Sequence, residues 1–404
     1  MQYKVDKLQW SKDNPYTCLL PYTSRQFFFD KNTVSPCCNL RRTQNNDPYV
    51  HINELKDSVE QNKYYAPCEE CYNCENNNKL SERQRHLLEL DDDTFNQLLT
   101  DKTSDTFSIH CTLSNVCNMA CRSCDAEHSS LYSKISTGKE TPGHTLSEYN
   151  DFWESLLSTT EDAVNQYNKV FLVISGGEGF VQPDFFKLID WLIDRGINKS
   201  VCLTVNTNGS IFNQELYDKL CTTFAQLDLA VSVDSIYENY HYVRWPGKWE
   251  KIESNLIQFA EYKKKFTNFN FFLTPVWSIN NIFYLKDWVE YFSKFDNGNI
   301  SAYDTPLWQP SWLDVRYLPQ YLKEELVKDL EQVASNNWLQ NNKSFHANIL
   351  NLIEQCGENF YNQEIEWSKY IQNTKDWDIK TKTKLAIHCK KLYNKLNEND
   401  VRFV

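Results

Sequence analysis

Cys117, Cys121 and Cys124 are spaced CxxxCxxC within FSIHCTLSNVCNMACRSCDAEH, residues 107–128. So short a spacing holds three thiols on one loop. Thiolates are soft ligands that select iron-sulfur clusters, zinc or copper(I), and an iron-sulfur cluster is commonly held by four of them. A set of three leaves one iron without a protein ligand. A cluster needs that open iron if it is to chelate a small molecule rather than only carry electrons. Two plainer readings stay open on these residues. His128 completes a closed Cys3His zinc site, and free thiols are common in cores.

The elements that would position this loop are legible around it. An alternating strand, Phe107 to Leu113, leads into the cysteines, and LSEYNDFWESLLSTTEDAVNQY follows at helical spacing with Thr145 as its cap. Then come strand Val170 to Ser175, an amphipathic helix ended by Gly196, strand Val201 to Asn206, helix NQELYDKLCTTF and strand Leu227 to Val233. A helix from Trp249 to Phe266, strand FNFFLTPVW, a helix from Ile282 to Phe295 and a strand Asn299 to Tyr303 complete the set. Six short apolar strands, most separated by a helix, describe an α/β fold with a parallel sheet and right-handed crossovers. Six units are too few for an eight-unit barrel. Four helical stretches fill the last hundred residues, with Cys356 and Cys389 on their apolar faces as core thiols.

In parallel α/β structures the site lies at the carboxyl ends of the strands. The second strand ends in Ser175, Gly176, Gly177 and Glu178, where paired glycines admit a ligand to the backbone and a carboxylate suits an ammonium group. The third ends in NTNGS, whose Asn206 and Asn208 offer polar amides or a capped turn. The fourth ends in Ser232, Val233, Asp234 and Ser235. Arg244, in YVRWPGKW, is suited to a bidentate carboxylate partner, or else stacks on Trp245 or Trp249 at the surface.

Ten of the fourteen cysteines lie between Cys18 and Cys124, which confines metal chemistry to the first third. There Cys18 opens a hairpin-like segment read as strands Cys18 to Tyr22 and Gln26 to Phe29 around a turn at 30–32. Cys37 and Cys38 follow it, and PCEECYNCE then supplies Cys68, Cys71 and Cys74. Four thiolates converge if the hairpin folds back on the CxxC turn. A zinc ribbon and a metal-free module are the alternatives.

The net charge of −12 over 404 residues disfavours a nucleic-acid backbone as partner, because phosphate binding depends on neutralisation by Lys and Arg. No run of 18 apolar residues and no signal-peptide-like start is present, so a soluble, cytoplasmic protein without membrane partners is expected. In that reducing compartment cysteines are more often metal ligands than disulfides.

CNMACRSC resembles the cluster motif of the radical S-adenosylmethionine (radical SAM) enzymes. The resemblance implies a 4Fe-4S cluster on Cys117, Cys121 and Cys124, with S-adenosylmethionine chelated at its free iron, and a partial (β/α)6 barrel. Ser123 stands where a bulky residue often precedes the third cysteine, which weakens an adenine contact. The glycine-glutamate turn is similar to the family's GGEP motif for the methionine amino group, with Gly179 in place of proline. Asn206 and Asn208 are then set toward the ribose or methionine portion, Ser232 toward the cofactor and Asp234 toward the substrate. Arg244 is set against the methionine carboxylate. The cysteines of CLLPYTS, SPCC and CEECYNCE resemble a twitch module, related to the SPASM extension, placed before the catalytic domain instead of after it. That likeness implies an auxiliary iron-sulfur cluster on Cys18, Cys37, Cys68 and Cys71, with Cys38 and Cys74 as substitutes.

The domain organisation so implied is a twitch-like module over 1–104, the barrel over 105–310 and a helical extension over 311–404. The function implied is reductive cleavage of S-adenosylmethionine and hydrogen-atom abstraction from a small or sugar-like substrate, as a net oxidation. An electron donor such as flavodoxin or ferredoxin is implied as partner. Radical modification of a peptide or protein side chain, and a non-catalytic zinc or iron-sulfur protein, are the alternatives. A Cys117, Cys121 and Cys124 triple alanine variant is expected to keep about four irons on the auxiliary ligands. Iron and sulfide analysis checks this, and a variant without iron removes the auxiliary cluster.

Overall fold

The computed structural model describes residues 6–28, 33–42, 50–76, 80–139, 143, 150–307, 309–358 and 360–398. The expected turn at 30–32 and the expected cap Thr145 lie outside them. Its main sheet has seven strands: β1 (Ser24–Phe28), β2 (Thr33–Ser35), β3 (Thr106–Thr112), β4 (Lys169–Ser175), β5 (Val201–Thr207), β6 (Gln226–Val231) and β7 (Phe269–Leu273). Their order is β2-β1-β3-β4-β5-β6-β7, parallel throughout except for β2 against β1. Helices Asn150–Gln166, Pro183–Asp194, Gln214–Thr223 and Trp249–Lys265 make the crossovers between β3 and β7. A parallel sheet with helical crossovers and a helical C-terminal region agree with the partial barrel.

Each strand divides its side chains between two environments, because successive residues point to opposite faces. Ile109, Cys111, Leu172, Ile174, Leu203, Val205, Leu229, Val231, Phe271 and Leu273 are buried in one core with the helices' Leu156, Phe185, Leu188, Leu220 and Phe259. The intervening residues face the inside of the curved sheet. The pairings place Gln26, His110, Val173, Thr204, Asp228 and Asn270 in one row across it. The next row toward the carboxyl edge includes Thr112, Ser175, Asn206, Ala230 and Phe272.

Two expectations are corrected. Cys18 to Tyr22 is not a strand: Leu20–Thr23 forms a helical turn that Pro21 suits, since a proline near a helix start lacks only an N–H that has no helical partner there. The hairpin is instead β1 with β2. The sixth barrel strand is reduced to a parallel bridge from Leu273 to Ala302, continued by a two-residue pairing of Val276–Trp277 with Thr305–Pro306. Pro275 between them has no N–H to donate, which interrupts the ladder. A helix at Tyr237–Val243 carries the chain from β6 to Arg244.

The first hundred residues contribute to the barrel sheet itself. Phe27 in β1 is fully buried and meets Phe152 of the helix after the cysteine loop at 5.5 Å between ring centroids. Phe27→Ala is expected to cost about 3–5 kcal/mol. Because β1 pairs along its length with β3, a single urea transition seen by both near- and far-ultraviolet circular dichroism should shift as a whole. Loss of only a minor early phase would show that β1 is not part of the cooperative unit.

Candidate functional site: a three-thiol loop at the carboxyl edge of the sheet

The cysteine loop leaves β3 at the edge where Thr112 pairs with Ser175 and Thr207 with Val231, so it meets the ends of β4, β5 and β6. Its backbone is fixed from two sides. Ala120 N donates to Trp245 O at 2.7 Å and Arg122 N to Val243 O at 2.9 Å. From the other side Glu178 N donates to Val116 O at 2.9 Å. Ser129 Oγ donates to Met119 O at 2.6 Å, and Ser130 Oγ accepts from Cys117 N at 3.2 Å.

Within this frame the three thiols are neighbours. Burial pushes Cys121 up to about 12, opposed by Arg244, with the adjacent Cys117 adding to the rise. Cys117 is raised chiefly by burial, and Cys124 by burial and then by Cys121 and Cys117. Two donors point at the sulfurs: Met119 N at 3.4 Å from Cys117 Sγ and Arg244 Nη1 at 3.8 Å from Cys121 Sγ. Thiols so raised ionise when a metal takes the place of the proton. His128, the fourth ligand of a closed zinc site, is instead bonded through Nδ1 to Asp125 Oδ1 at 2.7 Å on an exposed side chain. Among the described residues no three His, Cys, Asp or Glu side chains are grouped so as to hold a single metal ion. The three thiols on this loop are nonetheless soft donors, two of them met by hydrogen-bond donors, and are of the kind an iron-sulfur cluster takes.

The glycine turn after β4 is shaped by its approach to that loop. Gly176 and Gly177 have φ of +80° and +51°, and a Cβ on Gly177 would stand 2.2 Å from Val116 O. A Cβ at Gly179 would stand 2.8 Å from Val205 Cγ1, which accounts for glycine there. Glu178 is turned inward. Fully buried, it accepts from Thr207 Oγ1 at 2.7 Å, Asn208 N at 2.6 Å and Phe180 N at 3.3 Å. Burial raises its pKa against these bonds. The Glu178 carboxylate therefore ties the turn after β4 to the end of β5.

Asn208 is buried and donates to Asn118 Oδ1 at 2.7 Å, while Asn118 donates to Ser210 Oγ at 3.0 Å. Asn206 is exposed on the inner face. Ser175 Oγ is 3.2 Å from Thr112 Oγ1, and Ser232 Oγ is 3.4 Å from Thr274 Oγ1. Arg244 is no surface residue: it is buried, with Nε 2.8 Å from Asp234 Oδ2 and Nη2 2.9 Å from Asp234 Oδ1. Asp234 also accepts from Val276 N at 2.9 Å. Asp234, Arg244 and Cys121 thus form a chain that no spacing in the sequence announces. Asn118, Thr207 and His110 are further polar residues at this edge and inner face that the sequence analysis does not single out; the alternation of FSIHCT is the signal by which His110 could be placed on the inner face.

The N-terminal cysteines are also drawn together. Burial raises Cys18, and next the neighbouring Cys68, with Cys71 further down; Cys68 is raised by burial, then by Cys37 and Cys71. Cys37 is raised by burial and then by Cys18. Asn39 Nδ2 donates to Cys71 Sγ at 3.6 Å. Cys38 is exposed and Cys74 half-buried. The buried Arg83 holds this region by donating to Ser11 O, Asn14 O and Thr17 O and by pairing with Glu75.

A parallel sheet whose carboxyl edge carries a three-thiol loop, a glycine turn and a buried arginine defines an α/β domain with its candidate site at that edge. Residues 111–285 match the Radical SAM superfamily. Enzymes of that superfamily use a 4Fe-4S cluster and S-adenosylmethionine. No curated protein matches the chain. Among solved structures it is similar to "Native anSMEcpe with bound AdoMet", at 18% identity over 59% of this chain and 63% of that one, with a TM-score of 0.42. It is also similar to Streptococcus suis SuiB bound to S-adenosylmethionine, at 12% identity over 74% of this chain and 60% of that one, with a TM-score of 0.32. The chain thus spans less than two thirds of the length of either.

Gly177→Ala is expected to push the turn off Val116 O and to lower both iron per chain and the urea midpoint. Gly138→Ala, at φ +71° with nothing within 4 Å of the added Cβ, should cost only about 1–2 kcal/mol and leave iron unchanged. Equal iron loading in the two variants would show that the glycine turn does not shape the cysteine loop.

Proposed function

We propose that this chain is a radical SAM enzyme in which Cys117, Cys121 and Cys124 hold a 4Fe-4S cluster and S-adenosylmethionine occupies the carboxyl edge of the sheet. The observation that carries the reading is the three-thiol loop, pinned between the turn at Glu178 and the Val243–Trp245 backbone, inside the matched domain. When bound, the reduced cluster supplies one electron to the sulfonium, giving methionine and a 5′-deoxyadenosyl radical that takes a hydrogen atom from substrate. The residues of this chain do the positioning. The backbone of Gly176 and Gly177 with Ser175 lies on the side of the methionine amino group. Asn206, Asn208 and Ser232 line the approach of the nucleoside. Arg244, oriented by Asp234, places its charge beside Cys121 where a chelated carboxylate would meet it.

The inner face supports a small, polar substrate. His110, Thr204, Asn206 and Asn270 make no side-chain hydrogen bond to the protein among the described residues, and Asp228 Oδ1 is buried without a partner. His110 is exposed on the inner face, where the surrounding protein lowers its pKa by desolvation, so its imidazole is neutral at pH 7 and both donates and accepts. Such a floor fits a hydroxyl-rich, sugar-like molecule better than an apolar one. The converging Cys18, Cys37, Cys68 and Cys71 support an auxiliary cluster in a twitch-like module over 1–104. Held by those four thiolates, such a cluster would supply the electron acceptor that a net oxidation needs. The first electron comes from a low-potential donor such as flavodoxin or ferredoxin.

Anaerobically reconstituted, dithionite-reduced protein is expected to hold about eight irons and to release 5′-deoxyadenosine from S-adenosylmethionine. A filtrate of small cell metabolites should accelerate release in the parent and not in His110→Phe. Zinc without product would leave a binding protein, and acceleration by polypeptides alone would move the substrate to a peptide side chain.

A further inference from the structure

The stretch from Ile379 to Lys395, IKTKTKLAIHCKKLYNK, holds six lysines and no acid in a chain whose net charge is −12. It covers the end of helix Gln363–Thr381, the short helix Leu385–His388 and the start of helix Lys390–Glu398. Lys391 pairs with Asp287 and Lys395 with Glu325. Lys380, Lys382, Lys384 and Lys390 are exposed, and among the described residues no carboxylate pairs with them. Thr381, Thr383 and Leu385 alternate with these lysines and are buried, so one edge of the segment packs inward and the charged edge meets water. Ile379 and Ile387, in the same stretch, are 77% and 49% exposed.

This face is attached to the cysteine loop. Thr383 Oγ1, between two of the lysines, accepts at 2.9 Å from Nη2 of the buried Arg122, which stands between Cys121 and Cys124 and also pairs with Asp378. Lys380 Nζ donates to Ser136 O at 2.8 Å, on the helix Ser130–Thr137 that follows the loop. Trp377 stacks on Tyr132 at 4.4 Å between ring centroids, and the Tyr132 hydroxyl is raised by burial and next by the neighbouring Cys124. An aromatic pair thus lies between a thiol and the lysine-bearing helix. The nearby acids are mostly engaged: Asp378 with Arg122 and Leu385 N, Asp125 with His128, and Asp376 with Gln372, beside an exposed Glu127.

Exposed apolar side chains ringed by charge of one sign suit a protein partner of the opposite sign, because the apolar centre gives contact and the charges steer encounter. Reductive cleavage needs an electron from outside the chain. With S-adenosylmethionine at the sheet edge, the side of the loop toward the C-terminal helices is left for its entry. We propose that the surface of Ile379, Lys380, Lys382, Lys384, Ile387 and Lys390 docks the acidic carrier protein that reduces the cluster on Cys117, Cys121 and Cys124, an inference that rests on the function proposed above. The transfer makes and breaks no bond: the carrier is oxidised by one electron and the cluster is reduced by one. Nucleic acid or an anionic bilayer would also be drawn to lysines, but each extends beyond the patch and meets the negative charge of the rest of the chain. A compact acidic protein meets the patch alone, since charges beyond about 8–10 Å are screened.

The test compares reductants on the reconstituted full chain, with release of 5′-deoxyadenosine as the readout. Dithionite reaches the cluster without docking, whereas a reduced bacterial flavodoxin or ferredoxin must dock. The triple variant Lys382→Glu, Lys384→Glu and Lys390→Glu should slow carrier-driven release about tenfold or more at low salt, through a raised KM for the carrier. It should leave dithionite-driven release and iron content unchanged, and its difference from the parent should shrink as salt is added. The corresponding triple change to Gln should fall between the two. A control triple, Lys199→Glu, Lys219→Glu and Lys264→Glu, lies toward the amino ends of the strands and should behave as the parent. Equal carrier-driven release in the parent and the first triple, or equal slowing by the control, overturns the inference and leaves the function standing. Loss of dithionite-driven release in the first triple, a parent that responds to dithionite and to neither carrier, or capture of anionic vesicles or RNA by the lysines with carrier-driven release unchanged overturns it likewise. A parent that releases nothing with dithionite removes the reading on which it rests.

Discussion

Three thiolates held on one short loop repel one another and lose water, so such a loop keeps its shape only if its backbone is bonded from outside. Here those bonds come from two loops that β4 and β6 deliver to the same edge. Val116 O receives Glu178 N, and Ala120 and Arg122 donate to Trp245 O and Val243 O. The close approach on the β4 side demands Gly176 and Gly177, whose positive φ and missing Cβ let the turn lie on the cysteine loop. The approach on the β6 side depends on the helix Tyr237–Val243, which returns the chain to the sheet edge and delivers Arg244 to Asp234.

Glu178 shows how the same constraint places a charge in the interior. A buried carboxylate without partners is costly. Three donors surround this one, two of them from the end of β5, so the charge fastens neighbouring strand ends at the level where the thiols lie. Arg122 plays the corresponding part outside the barrel, where its guanidinium joins the loop to the C-terminal helix. The cysteine loop is thereby held by the sheet on one side and by the last hundred residues on the other.

The period of two along each strand gives the sheet a dry outer face and a polar inner one. Parallel register brings His110, Thr204, Asp228 and Asn270 level with one another although they are far apart in the chain. β1 extends this sheet, so the N-terminal thiols are attached to the barrel by backbone pairing and by the buried Phe27 rather than by a tether.

The local signals were legible in the amino-acid sequence. CxxxCxxC is a contiguous set of thiols, the alternating apolar strands and amphipathic helices set the α/β order, and the polar residues after each strand marked the candidate edge. These depend on neighbours within a few residues, which sequence reading captures. What required tertiary structure is every choice between partners distant in the chain. Arg244 lies within ten residues of Asp234, yet their pairing waits on the fold of the helix between them. The inward turn of Glu178 depends on where β5 ends, and the union of Arg122 with Asp378 on how the C-terminal helix packs. The helical turn at Leu20–Thr23 replaced an expected strand because proline geometry and packing outweighed the apolar run. Composition and spacing decide which chemistry a chain is able to carry. Only packing decides which of its charged and polar groups face one another, because that choice is made by burial against residues far away in the sequence.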